Sequence, residues 1–108
     1  MKREELYDIF VKIIRCKIDG NEQGFNELKE QVRINSKIAP KAILFIKQLE
    51  YGIEDSLKRA REFARDNVSM YNKFKESTFG HFEGIIRQDM LVGSNPRFEF
   101  EKEKERET

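Results

Sequence analysis

The stretch Ser36–Gly52, SKIAPKAILFIKQLEYG, constrains the fold more than any other part of the chain. It contains the longest apolar run, Ala42-Ile43-Leu44-Phe45-Ile46, set between a helix start signal and a helix stop signal. At a helical period, Ile38, Ala42, Phe45, Ile46, Leu49 and Ile53 fall within an arc of roughly 100°, the width of a core-facing stripe. The Ser36 hydroxyl can accept a bond from an orphan N–H of the first turn. Pro40 then falls where a missing N–H costs little, and Gly52 suits the left-handed position that ends a helix. The flanking Lys, Gln, Leu and Glu favour helix over strand. This segment is expected to be the central helix of an all-α domain, a compact bundle of four to five helices.

Three apolar residues of this segment fall off the stripe. Leu44 projects among Lys37, Lys41, Lys47 and Gln48, Tyr51 lies on the same side, and Ile43 projects between the two faces. The ordinary expectation is that neighbours touch a central helix on several sides, so that all three are core. The alternative is a second contact surface, for a partner or a second copy of the chain.

The other helices follow from the same periodicity. Residues 3–19 predict a first helix, with Leu6, Ile9, Phe10, Ile13, Ile14 and Ile18 on one face and Glu4 and Glu5 in its first turn. Asp19-Gly20-Asn21 is turn chemistry. A second helix is expected over Glu22–Ile34, with Phe25, Leu28 and Val32 inward and Gly24 weakening its first turn. A fourth, the longest, is expected over residues 54–76, where Leu57, Ala60, Ala64, Asn67, Tyr71 and Phe74 recur at three–four spacing and Phe63, Val68 and Met70 widen the face. Asn67 is either a register-fixing polar residue on that seam or a solvated boundary position. A fifth helix is expected from Ser77 or Thr78 to Gly93, with Phe79, Phe82, Ile86 and Met90 on one face. Gly80 and Gly84 in that helix are expected to let a neighbouring backbone or the phenylalanines come close.

Residues 1–93 are thus expected to form the helical domain, and residues 94–108 a charged tail. Gly93-Ser94-Asn95-Pro96 breaks the helix, and the alternating charges that follow would place like charges four apart on a helix, so disorder is expected there. Phe98 and Phe100 are the exceptions. They are expected to tuck back onto the bundle or to present a linear motif to a partner.

Chemistry is sparse. Cys16 is the single cysteine, which excludes an internal disulfide and fits a reducing compartment. His81 is the single histidine, with no Cys/His/Asp cluster of metal spacing beside it and no carboxylate placed to orient it. No phosphate-cradling glycine loop is present. The sequence therefore points to no catalytic residue, no metal, no cofactor and no small-molecule substrate. No run is long or apolar enough to cross a bilayer and no leader-like segment opens the chain, so a cytoplasmic protein is expected.

Charged and hydrophobic residues each make up 38% of the 108 residues, which leaves a thin core under a heavily charged surface and favours a protein partner or self-association. The leading expectation is a small non-enzymatic protein-interaction module (an adaptor, a regulator or a small subunit of a larger complex) using Ile43, Leu44, Tyr51, Phe98 and Phe100. The alternative is nucleic-acid binding through Lys58, Arg59, Arg61 and Arg65, joined by Lys37, Lys41 and Lys47. Against it, the net charge is only +1, and residues 53–78 carry six basic against five acidic residues. Glu27 to Ile53 superficially resembles a helix-turn-helix, but the helix that would read bases offers Ala42–Ile46 rather than polar side chains.

Overall fold

The computed structural model describes residues 3–34 and 39–90, and these form four helices with no strand among them. α1 spans Arg3–Asp19, α2 Glu22–Arg33, α3 Ala39–Ala64 and α4 Val68–Met90. The expected tail, and with it Phe98 and Phe100, lies outside the described residues, as do Ser36, Lys37 and Ile38.

α1 and α2 are joined by the turn at Gly20, whose φ of +78° is a conformation that side chains other than glycine rarely adopt. Asn21 then caps α2, its side-chain oxygen accepting the Gly24 N–H at 3.0 Å.

Two of the expected boundaries are wrong. Gly52 does not end a helix. α3 runs straight through it to Ala64, 26 residues in all. Gly52 is instead a point of close approach between α3 and α4. A Cβ built there would lie 2.9 Å from two ring atoms of Phe82, so the glycine makes room for that ring. The true break is Arg65-Asp66-Asn67, in the middle of the segment expected as one helix over 54–76. Arg65 takes the left-handed conformation at φ +54° and its N–H bonds back to the Arg61 carbonyl at 2.9 Å, a helix-ending pattern. Asn67 is not a seam residue but is exposed at a helix boundary, where it also acts as a cap. Its side-chain oxygen accepts the Met70 N–H at 3.0 Å and starts α4. α4 then continues through Ser77 and Thr78, so the expected fourth and fifth helices merge differently and the count is four. Gly80 and Gly84 are not points of close approach. Nothing lies within 4 Å of a Cβ at Gly80, and at Gly84 only the Arg87 guanidinium reaches 4.0 Å.

One core cluster joins all four helices. It is built from Leu6, Phe10, Ile13, Ile14 and Ile18 of α1, Phe25 and Val32 of α2, Ala42 to Leu57 along the α3 stripe, and Phe82, Ile86 and Met90 of α4. The Phe10 and Phe45 rings meet edge-on, with centroids 5.2 Å apart.

The pairings across this core set the helices' directions and relative heights. Tyr7 donates to Glu83, and Arg15 reaches Glu76 at 2.9 Å, so α1 runs antiparallel to α4. Phe10 meets Phe45, and Lys17 reaches Glu54 at 2.7 Å, so α1 runs parallel to α3. By these pairings α1 stops at Asp19 while α3 still has Leu57–Ala64 to run, and on α4 only Val68–Tyr71 lies beyond it. At 1.5 Å per residue, this overhang is about 12 Å of α3 and about 6 Å of α4. The buried residues of α4 agree with this geometry, since Phe82, Ile86 and Met90 all lie in its C-terminal half.

Candidate interaction surfaces

Two exposed apolar areas stand out, one on α3 and one on the overhang. On α3, Leu44 is 57% exposed and Tyr51 72% exposed. They sit seven residues apart, two turns up the same outward face. Both were expected to be ordinary core, and both are instead exposed, because α1, α2 and α4 cover only the opposite side and flanks of α3. Ile43 does meet that expectation. It is half-buried and packs against the core cluster. Lys41 and Lys47 are exposed on the same half of α3 as Leu44.

The overhang carries the second area. Phe63 is 72% exposed and Val68 70% exposed, although both were expected on a buried seam. Phe63 rests on Phe74, with ring centroids 5.5 Å apart. Tyr71 is half-buried. Its hydroxyl lies 3.4 Å from an Arg61 guanidinium nitrogen, and the Lys75 ammonium stands 5.5 Å from its ring centre. Beside Val68, an open groove on α4 is lined by Val68, Ser69, Asn72, Lys73, Glu76 and Ser77.

The cations proposed from sequence do not form one site. Lys41 and Lys47 lie on the lower half of α3, while Lys58, Arg59, Arg61 and Arg65 lie on the overhang, with about 16 Å of helix between Lys47 and Lys58. All of these side chains are exposed. Arg59 is paired with Asp55 one turn back. Where α1 ends, Glu54 is held by Lys17 and Glu76 by Arg15. Apart from those two acids, residues 53–78 carry six cations against Asp55, Glu62 and Asp66, an excess of three in a chain of net charge +1. The sequence window 53–78 hid this excess because it counted Glu54 and Glu76, which α1 neutralises. Lys73 and Lys75 belong to the same basic area and were not singled out from sequence. The available signal was Asp66-Asn67, a turn and cap pair that would have folded the segment into a hairpin, where Tyr71 meets both Arg61 and Lys75.

The groups with potential chemistry are arranged structurally. Cys16 is partly buried beside Asn21, whose side-chain nitrogen lies 3.7 Å from its sulfur. The adjoining cavity holds about 30 Å³, room for one water. His81 is exposed on α4, with its ring edge-on to that of Phe82 at 5.0 Å. No group of three metal-ligating side chains occurs among the described residues. Tyr7, Glu83 and Arg87 form one small network. The hydrogen bond from Tyr7, then those from Arg87, hold the Glu83 carboxyl below its usual range. The same bond to Glu83, with some burial, holds the Tyr7 phenol above its own. Burial pulls the Lys17 ammonium down, but its bond to Glu54 and the charges of Glu54 and Glu50 more than offset this and leave it raised. These groups fasten α1 to α3 and α4. No described helix is long and apolar enough to cross a membrane.

No protein-family model, curated protein or solved structure matches the chain.

Proposed function

We propose that this protein is a small non-enzymatic interaction module, an adaptor, regulator or subunit of a larger complex, that docks a protein on the outer face of α3. The observation that carries this reading is the exposure of Leu44 and Tyr51 on one side of a helix whose other side is core. Single exposed apolar residues are ordinary, but a Leu and a Tyr stacked on one face form an anchor pair of the kind interfaces use. Ile43 would be the inner margin of this contact, Lys41 and Lys47 its polar rim, and Phe98 and Phe100 further contacts supplied by the tail.

The test is the double variant Leu44→Lys, Tyr51→Lys. Helicity by circular dichroism and the unfolding midpoint are expected to stay as in the wild type, because both side chains already face solvent and Lys is a good helix former. Self-association in sedimentation velocity, or capture of a protein partner from extract, is expected to be lost. Loss of the fold, or association that survives the double variant, would remove this face from the function.

The second reading is nucleic-acid binding through Lys58, Arg59, Arg61 and Arg65. The observation that favours it is the excess of three positive charges over residues 53–78 once Glu54 and Glu76 are held by α1. Binding of labelled duplex DNA or single-stranded RNA would then have to fall steeply with salt. Absent or salt-insensitive binding rejects it.

A further inference from the structure

Lys41, Leu44, Gln48, Tyr51 and Asp55 recur at three–four spacing, so they form a second stripe on α3, on the side opposite the core-facing one. All five are exposed. This is the spacing at which two helices pack side by side along a common seam. The order of residues along the stripe also has a symmetry. Lys41 and Asp55 stand seven residues either side of Gln48, about 10 Å along the helix in each direction. Leu44 and Tyr51 stand four and three residues from it, again on opposite sides. The stripe therefore reads cation, Leu, Gln, Tyr, anion, and its reverse is complementary to itself.

We propose that a second copy of this chain docks on this stripe, with the two α3 helices antiparallel about a two-fold axis at Gln48. The proposal rests on the reading of the Leu44–Tyr51 face as a docking surface and names its occupant. A two-fold contact is isologous, so each pairing occurs twice. At this register Leu44 of each copy meets Tyr51 of the other, and Lys41 of each copy meets Asp55 of the other. Lys41 and Asp55 lie to the same side of the Leu44–Tyr51 line, and the two-fold keeps that side in common. Arg59 engages Oδ2 of Asp55, which leaves Oδ1 to accept from the Lys41 ammonium. A parallel pairing would instead set Lys41 against Lys41 and Asp55 against Asp55. The two Lys47 side chains come near the axis only at the rim, where solvent ions screen them. A net charge of +1 lets two copies approach without general repulsion. An unrelated protein would need no such symmetry in the stripe, and a nucleic acid would have no use for Asp55. A seam of four turns is small beside the ~1,200 Å² of a standard interface, so the dimer is a weak one, with Kd on the order of 10–100 µM.

The experiment is sedimentation velocity on the full chain from about 1 µM to about 1 mM, a range that brackets the expected Kd. It is repeated on Lys41→Asp, on Asp55→Lys, on an equimolar mixture of these two variants and on the Leu44→Lys, Tyr51→Lys double variant. The wild type is expected to show a reversible monomer–dimer equilibrium. Each charge reversal sets two like-charge pairs in the dimer and should raise Kd about tenfold or more. In the mixture one chain is acidic at both positions and the other is basic at both, so the mixed dimer regains both pairs. The mixture should therefore dimerise about as tightly as the wild type, with energy transfer between donor-labelled and acceptor-labelled chains. The double variant should be monomeric throughout. Every substituted side chain is exposed, so all variants are expected to keep wild-type circular dichroism. A dimer that ignores both reversals, or that the mixture fails to restore, overturns the proposal. A wild type that stays monomeric at every concentration also overturns it, while leaving the α3 face open to a different protein. A dimer that survives the double variant overturns both this proposal and the docking role of that face.

Discussion

The lower part of the α3–α4 hairpin is packed on by α1 and α2, and the upper part is not. Below, Ile46, Ile53, Ile86 and Met90 are sealed to 1% exposure or less. Above, the two helices hold each other mainly through Leu57, Ala60, Ala64 and Phe74, while Phe63 and Val68 face solvent. On α4 the inward line of Phe79, Phe82, Ile86 and Met90 gives way above to Lys75, Asn72 and Val68, and on α3 Phe63 lies off the buried stripe of Leu57, Ala60 and Ala64. The residue types and the cover from α1 both change with height. An amphipathic pattern states which side of a helix is apolar, but burial also needs something to cover it.

The contrast breaks most sharply at Ile86 and Val68. Ile86→Ala empties a fully buried site and should destabilise the chain by about 2–5 kcal/mol in urea unfolding. Val68→Ala removes methyls that are already largely in water and should change stability by no more than about 0.5 kcal/mol. Equal losses would mean that the overhang is packed as tightly as the body.

The hairpin turn offers a test whose sign decides the matter. Asn67 caps α4 through the Met70 N–H, so Asn67→Ala should destabilise by about 1 kcal/mol. Were Asn67 inside a continuous helix, alanine would be the better helix former and the same change would stabilise. A rise in the thermal midpoint would therefore refute the two-helix arrangement.

Glycines sharpen the comparison from another side. Gly80 faces open space, so Gly80→Ala should stabilise by about 1 kcal/mol through helix propensity alone. Gly52→Ala starts with the same gain but drives its methyl onto the Phe82 ring, and should be clearly less favourable than Gly80→Ala. If the two alanines stabilise alike, Phe82 yields freely and α3 and α4 are less closely fitted than the geometry indicates.

The smallest effect expected is in the pH dependence. Glu83 titrates below its unfolded value of 4.5, so the stability it contributes is present above that value and is lost as pH falls through the lower folded one. Tyr7 titrates above 10.0, so its contribution is present below that value and is lost as pH rises through the higher folded one. Both groups are near the surface, which screens the effect. Tyr7→Phe should flatten the acid and alkaline limbs of the unfolding midpoint slightly. Unchanged limbs would show that the bond carries no stability.

The errors in reading the sequence trace to specific residues. Gly52 satisfied every criterion for a helix end, and the chain uses it to admit Phe82. Arg65 satisfied none, because nothing about an arginine announces a left-handed φ. The apparent three–four spacing from Leu57 to Phe74 ran across the break, and Asn67 was counted into it. The cap and turn chemistry of Asp66-Asn67 was legible, but periodicity outweighed it. Leu44 and Tyr51 were correctly marked as lying off the stripe, yet their exposure depends on where the other helices stop.

By itself the sequence determined the all-helical class, the faces of α1 and α2 and most of the buried residues, because those depend on local period and cap chemistry. The tertiary structure alone decided which acids are spent on α1 and which cations are left over. Both depend on the relative height of two helices and not on the pattern of either.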